Sequence, residues 1–126
     1  MAMSATLKKL RYKPGMRVAV LGAPVGFEAE IARADGVTRA RTLRKNLDLV
    51  QAFFTRRSQL RRDAARLRAS LTPCGILWVC YPKAKGLGTD LNRDIVATTV
   101  ADASLEAVAI VAIDDVWSAL RCKPVD

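Results

Sequence analysis

The chain is predicted to fold as a three-layer, Rossmann-like α/β sandwich of about six strands, mostly parallel, with about three helices and a C-terminal antiparallel hairpin. Three observations carry this expectation. Residues 47–83 read as a strand, an amphipathic helix, a tight Pro73-Cys74-Gly75 turn and a second apolar strand ending in Tyr81-Pro82-Lys83. That is a β–α–β unit, and parallel strands joined by a helix belong to α/β sheets. Near the start, a β-branched strand is punctuated by Gly22, Pro24 and Gly26. Near the end, two apolar stretches flank Asp114-Asp115. So short a connection cannot return the chain parallel, so this pair is a hairpin.

Each element follows in order. Residues 1–11 form a basic lead, expected to be mobile, and Tyr12–Gly15 turns the chain into a first strand over Met16–Pro24. Phe27–Arg33 reads as a short helix closed near Asp35-Gly36, and Val37–Leu43 as a second strand. Asp48–Phe54 is a third strand whose apolar run implies burial on both faces. Over Arg56–Leu71, Leu60, Ala64, Leu67 and Leu71 recur at helical spacing, while Arg57, Arg61, Arg62, Arg66 and Arg68 occupy much of the remaining surface. Gly75–Cys80 is the fourth strand. Thr89 is placed to cap a helix over Asp90–Asp102, with Asp90 in its first turn. Glu106–Ile113 and Trp117–Lys123 make the hairpin.

Length and composition bound the function. The 126 residues fit one compact domain, and 51% hydrophobic with 26% charged residues matches a soluble globular protein. Apolar runs such as residues 108–113 are far too short to span a membrane. The N-terminus lacks the apolar core of a secretory signal, so a cytoplasmic protein with no membrane partner is expected. Cys74, Cys80 and Cys122 form no C-x-x-C pair and the chain has no histidine, which argues against zinc sites and histidine-based triads. Cys80 and Cys122 fall in apolar strand patterns and read as buried thiols. Residues 1–68 carry a net charge of +11 and residues 69–126 a net of −2. That asymmetry opens a third functional reading, a nucleic-acid binder using Arg57, Arg61 and Arg68. No recognised nucleic-acid motif accompanies those arginines, and a solvated helix face is favoured.

The order of parts, with the Gly22–Gly26 turn after the first strand and Leu71-Thr72-Pro73-Cys74-Gly75 before the fourth, resembles a shortened class I S-adenosylmethionine-dependent methyltransferase. The resemblance implies a strand order of 2-1-3-4-6-5. The stretches Leu10–Pro24, Tyr81–Lys83, Thr89–Asp94 and Ala112–Leu120 also resemble the DUF3052 family of small bacterial proteins of uncharacterised function. Two features depart from the methyltransferase pattern. Pro24 and Val25 stand where its cofactor loop has small residues, and Thr38–Lys45 holds Arg39, Arg41, Arg44 and Lys45 but no carboxylate for ribose hydroxyls. On these grounds no cofactor is expected, S-adenosylmethionine being disfavoured, and methyl transfer is the alternative reading.

Ligands of open α/β sheets favour the crevice beyond the carboxyl ends of the strands. The residues expected there are Gly22, Ala23, Pro24, Gly26, Tyr81, Lys83, Lys85, Thr89 and Asp90. The two lysines and nearby helix-start amides suit a small anionic ligand. No catalytic residue and no metal ligand is singled out. The principal expectation is therefore a non-catalytic domain that binds a small ligand or a protein, with a homodimer covering an open sheet edge as one arrangement.

Overall fold

The computed structural model describes residues 3–40 and 42–125. Its elements are α1 (Ala5–Lys9), β1 (Arg17–Leu21), α2 (Val25–Ala32), β2 (Thr38–Ala40), β3 (Leu47–Phe53), α3 (Arg57–Ser70), β4 (Leu71–Pro82), α4 (Arg93–Ala101), β5 (Leu105–Ala112) and β6 (Trp117–Pro124). The strands form one six-stranded sheet in the order β2-β1-β3-β4-β6-β5. β2, β1, β3 and β4 run parallel. β6 is antiparallel to both β4 and β5. The architecture and strand order are those expected, with three helices of eight residues or more and the short α1 beside them. Among the described residues, no helix is long and apolar enough to cross a membrane.

Strand alternation divides the core. Leu47, Val50 and Ala52 of β3 face Leu60 and Leu67 of α3 and Val96 and Val100 of α4. Leu49 and Phe53 face the opposite layer, with Leu7 and Leu10 from α1 and its end, and Phe27 and Ile31 of α2. Gln51 is a fully buried exception, and both ends of its amide are satisfied. Tyr12 Oη donates to its Oε1 at 3.0 Å, and its Nε2 donates to Cys80 Sγ at 3.1 Å.

Three expectations are corrected here. The basic lead contains α1, capped by Ser4, whose Oγ accepts from Leu7 N and donates to Glu30. Leu7 and Leu10 are buried, and Trp78 Nε1 donates to Leu10 O at 2.8 Å, which ties the lead to β4. Residues 71–75 are not a turn. β4 begins directly at Leu71, and the register against β3 slips between Leu47 paired with Leu71 and Leu49 paired with Ile76. A side chain at Gly75 would place Cβ 2.9 Å from Leu71 Cβ and 3.1 Å from Leu47 O, so the bulge needs glycine for close approach. The second strand shrinks to Thr38–Ala40, and Arg41 lies outside the described residues.

The start of α3 is held from outside the helix. Arg56 provides no side-chain cap, and Asp90 Oδ1 accepts from Arg57 N at 2.8 Å. Asp90→Ala removes the acceptor from a helix terminus while leaving the core intact. Its predicted effect is a stability loss of about 1 kcal/mol in urea unfolding, with an unchanged circular dichroism spectrum. An unchanged midpoint would contradict this capping role.

Candidate functional site at the carboxyl end of the sheet

The chain reverses direction across the sheet between β1 and β3, since β1 continues into α2 and β2 on one side while β3 lies on the other. Such a switch point leaves a crevice at the carboxyl ends of the strands. Gly22, at the end of β1, holds φ at +68°. A Cβ there would stand 3.0 Å from Phe53 O, so the β1 turn lies against the end of β3. Pro24 leads into α2 without a side-chain cap, and its carbonyl accepts from Phe27 N and Glu28 N at 3.0 Å. The first-turn amides ahead of them are not capped by a side chain. Gly26 is exposed, with nothing within 4 Å of where its Cβ would be. Beneath this loop, Phe27, Phe53 and Trp117 pack in series with centroids 5.2 and 5.1 Å apart.

β4 enters the crevice through Lys83, whose N–H donates to Val116 O at 2.8 Å and ties it to the β5–β6 turn. Lys83–Gly88 is a tight coil in which Ala84, Lys85 and Leu87 all have positive φ, at 49°, 59° and 54°. Non-glycine residues seldom adopt this region, and such conformations concentrate at functional sites. Lys85 and Leu87 are exposed there, and Lys83 is half-buried.

Three of the expected ligand-binding residues serve as support instead. Tyr81 is buried and belongs to the α3–α4 side of the core, where desolvation pushes its phenol above its ordinary pKa despite the opposing Arg93. Thr89 does not cap α4. Its Oγ1 donates to Thr55 O at 2.6 Å and accepts from Leu91 N at 3.0 Å, which fixes the coil to the end of β3. Asn92 is the cap of α4, with Oδ1 accepting from Ile95 N at 2.8 Å. Asp90 caps α3, as described above. Gly22, Ala23, Pro24, Gly26, Lys83 and Lys85 remain around the opening.

The three arginines of the nucleic-acid reading line one stripe of α3. Arg57 Nε donates to Thr99 of α4 at 3.3 Å. Arg68 donates through Nε to Ser104 O at 3.1 Å and through a terminal nitrogen to Val125 O at 2.9 Å. Only Arg61 of this set makes no side-chain hydrogen bond among the described residues. No thiol serves the crevice as a nucleophile. Cys80 and Cys122 are buried, with desolvation pushing the Cys122 thiol up to about 12 and Cys80 also upward, and Cys74 sits in the bulge at the opposite end of β4. Among the described residues, no cluster of metal-ligating side chains forms.

One feature of the site was not legible in the sequence. Arg39 of β2 forks onto Glu28 of α2, with both nitrogen–oxygen distances 2.7 Å. A carboxylate from the first turn of α2 thus stands beside β2. Spacing gives no warning of this, because the pair spans a helix, a turn and a strand.

No protein-family model matches the chain. No curated protein matches it in sequence. Solved structures do resemble it in fold. A TehB-like SAM-dependent methyltransferase from Corynebacterium glutamicum superposes with a TM-score of 0.59 at 8% identity, over 94% of this chain and 85% of that one. The CcbJ methyltransferase from Streptomyces caelestis gives 0.62 at 11% identity, over 97% and 88%. DhpI in complex with SAH gives 0.62 at 12% identity, over 95% and 82%. At these identities the likeness establishes a methyltransferase-like Rossmann fold. The expectation of no cofactor is corrected by these neighbours, of which the TehB-like enzyme is SAM-dependent and DhpI was solved with SAH.

The Arg39 fork lowers the Glu28 pKa below its ordinary value. A depressed carboxylate pKa contributes stability above its unfolded value and loses it as pH falls through the folded value. Both side chains are partly exposed, so a Glu28→Gln/Arg39→Gln double-mutant cycle should give a coupling of about 0.5–1 kcal/mol at neutral pH. That coupling should fade as the solution is acidified below the pKa range of an ordinary glutamate. A coupling independent of pH would rule out the ion pair.

Proposed function

We propose that this protein is methyltransferase-like and binds S-adenosylmethionine at the carboxyl end of its sheet. The observation that carries the reading is the left-handed Gly22 turn, which lies against β3 and opens into the uncapped start of α2 at the switch point of the sheet. The likeness to methyltransferases over most of the chain supports this reading over a non-catalytic binding domain. The nucleic-acid reading is not favoured, because Arg57 and Arg68 are fixed against neighbouring elements. Membership of the DUF3052 family is part of the proposal and rests on the sequence stretches given above.

Apart from Pro24 and the exposed Val25, the residues of the β1 turn suit the cofactor. Backbone without bulky side chains at Gly22, Ala23 and Gly26 lets a ligand approach closely. The first-turn amides of α2 favour a negative group. Glu28, oriented by Arg39, would use the remaining lone pairs of its carboxylate to accept hydrogen bonds from ribose hydroxyls. When bound, S-adenosylmethionine supplies an electrophilic methyl group. The chain's own contribution is to bind and orient, since the crevice has no histidine and no reactive thiol.

Isothermal titration calorimetry with S-adenosylmethionine and its demethylated product tests this reading. Wild type should bind both. Gly26→Val should fill the open approach, and Glu28→Gln should weaken binding roughly tenfold, about 1.4 kcal/mol. No heat of binding from folded wild type with either compound would end the proposal.

A further inference from the structure

Two irregularities of the sheet open onto one cavity at the amino end of β4, opposite the crevice. In the β3–β4 ladder, Leu47 pairs with Leu71 and Leu49 with Ile76, so residues 72–75 of β4 stand against Asp48 alone. In the β5–β6 ladder, Ala107 pairs with Cys122 and Ala109 with Arg121, which leaves Val108 out of register. Such bulges re-aim side chains and concentrate beside functional sites. The cavity has a volume of about 360 Å³. Cys74 and Gly75 of the first bulge line it, with Val108 of the second and Arg121 and Lys123 of β6. Pro73, Ile76 and Pro124 add apolar wall.

Arg121 and Lys123 are two residues apart on a strand, so both stand on one face of β6. Lys123 is exposed and Arg121 half-buried. Within the Arg121 guanidinium, Nε is buried and has no hydrogen-bond partner. Among the described residues it is the one buried side-chain nitrogen or oxygen in that state. Buried polar groups are paired almost throughout native proteins, and a charged donor left unpaired is destabilising. An acceptor that enters the cavity removes that penalty. Glu106 stands opposite Lys123 in the β5–β6 ladder, but it is exposed and lies outside the cavity lining.

We propose that this cavity binds a small organic molecule through one oxyanion group, a carboxylate or a phosphate. Arg121 Nε donates to an oxygen of the group and Lys123 adds a second positive charge. Pro73, Ile76 and Val108 take the apolar part of the molecule, and the volume suits a ligand of that size. The inference goes beyond the methyltransferase-like reading and does not depend on it, because the two sites lie at opposite ends of the sheet.

The test uses benzoate, phenyl phosphate and the uncharged benzyl alcohol as probes of the folded wild-type protein. Two quantities are read at saturating probe: the urea unfolding midpoint, and the rate at which N-ethylmaleimide alkylates Cys74, the exposed cysteine of the cavity wall. At least one anion should raise the midpoint and slow the alkylation, and benzyl alcohol should do neither. Benzoate alone, or phenyl phosphate alone, names the headgroup. Arg121→Met should weaken the active anion roughly tenfold and Lys123→Gln about threefold. Without probe, the Arg121→Met midpoint should equal or exceed that of wild type, since the substitution removes the unpaired donor. A lower midpoint would mean that protein contacts already hold Arg121, which contradicts the proposal. An anion effect that persists in Arg121→Met, or a raised midpoint with Cys74 alkylation unchanged, places the anion elsewhere and overturns it. So does equal action of benzyl alcohol, or no response to either anion.

Discussion

Burial of β3 on both faces is the constraint from which the rest of the molecule follows. Every residue of the strand except Asp48 is buried, and its ladder partners β1 and β4 both run parallel to it. A parallel pair needs a crossover connection, and a strand buried on both sides needs a helical layer on each. α1 and α2 provide one layer, α3 and α4 the other. The same parallel arrangement gathers the carboxyl ends of β1, β2, β3 and β4 on one side of the molecule. The crevice is thus a consequence of how the core is buried, not a separate feature added to it.

The residues under the crevice make it a firm platform. Asp90 reaches back from the segment after β4 to cap α3, and Thr89 bonds to Thr55 at the end of β3. These two adjacent residues join three elements just below the opening. Above them, the Lys83–Gly88 coil holds three non-glycine residues in a conformation costing about 1–2 kcal/mol apiece. Its anchors are the bonds from Lys83 to Val116 and from Thr89 to Gly86. Strain held between fixed ends presents Leu87 and Lys85 to solvent in a defined place.

Much of the fold was legible because periodicity reports burial. The apolar run of β3, interrupted by Gln51, marked a central strand, the Leu60–Leu67 stripe marked α3, and the brief Asp114-Asp115 connection marked the hairpin. Where the reading failed, tertiary contacts had overridden local signals. Thr89 and Asp90 look like a helix start in sequence, yet the partners they cap belong to residues more than thirty positions away. Pro73-Cys74-Gly75 looks like a turn, yet Gly75 is there to let β4 approach Leu47. The basic composition of residues 1–11 hid Leu7 and Leu10, a short apolar face that only Trp78 and the sheet make visible. In the site, glycine and proline punctuated the β1 loop clearly. Glu28 and Arg39 could not be paired by any local rule, because they lie on different elements eleven residues apart. Leu87, flanked by Gly86 and Gly88, did carry a signal, because glycines on both sides of a leucine rarely occur in a packed element.

The central claim is that the switch-point crevice is a nucleoside-cofactor site, and chemical-shift mapping by ¹H–¹⁵N NMR tests it most directly. Titrating S-adenosylhomocysteine into the isotopically labelled protein should move the amides of Gly22–Glu28, with smaller shifts at Phe54–Arg56 and across the end of β2. Shifts confined to the β5 edge or the opposite end of the sheet, or a spectrum unmoved at saturating ligand, would contradict the account.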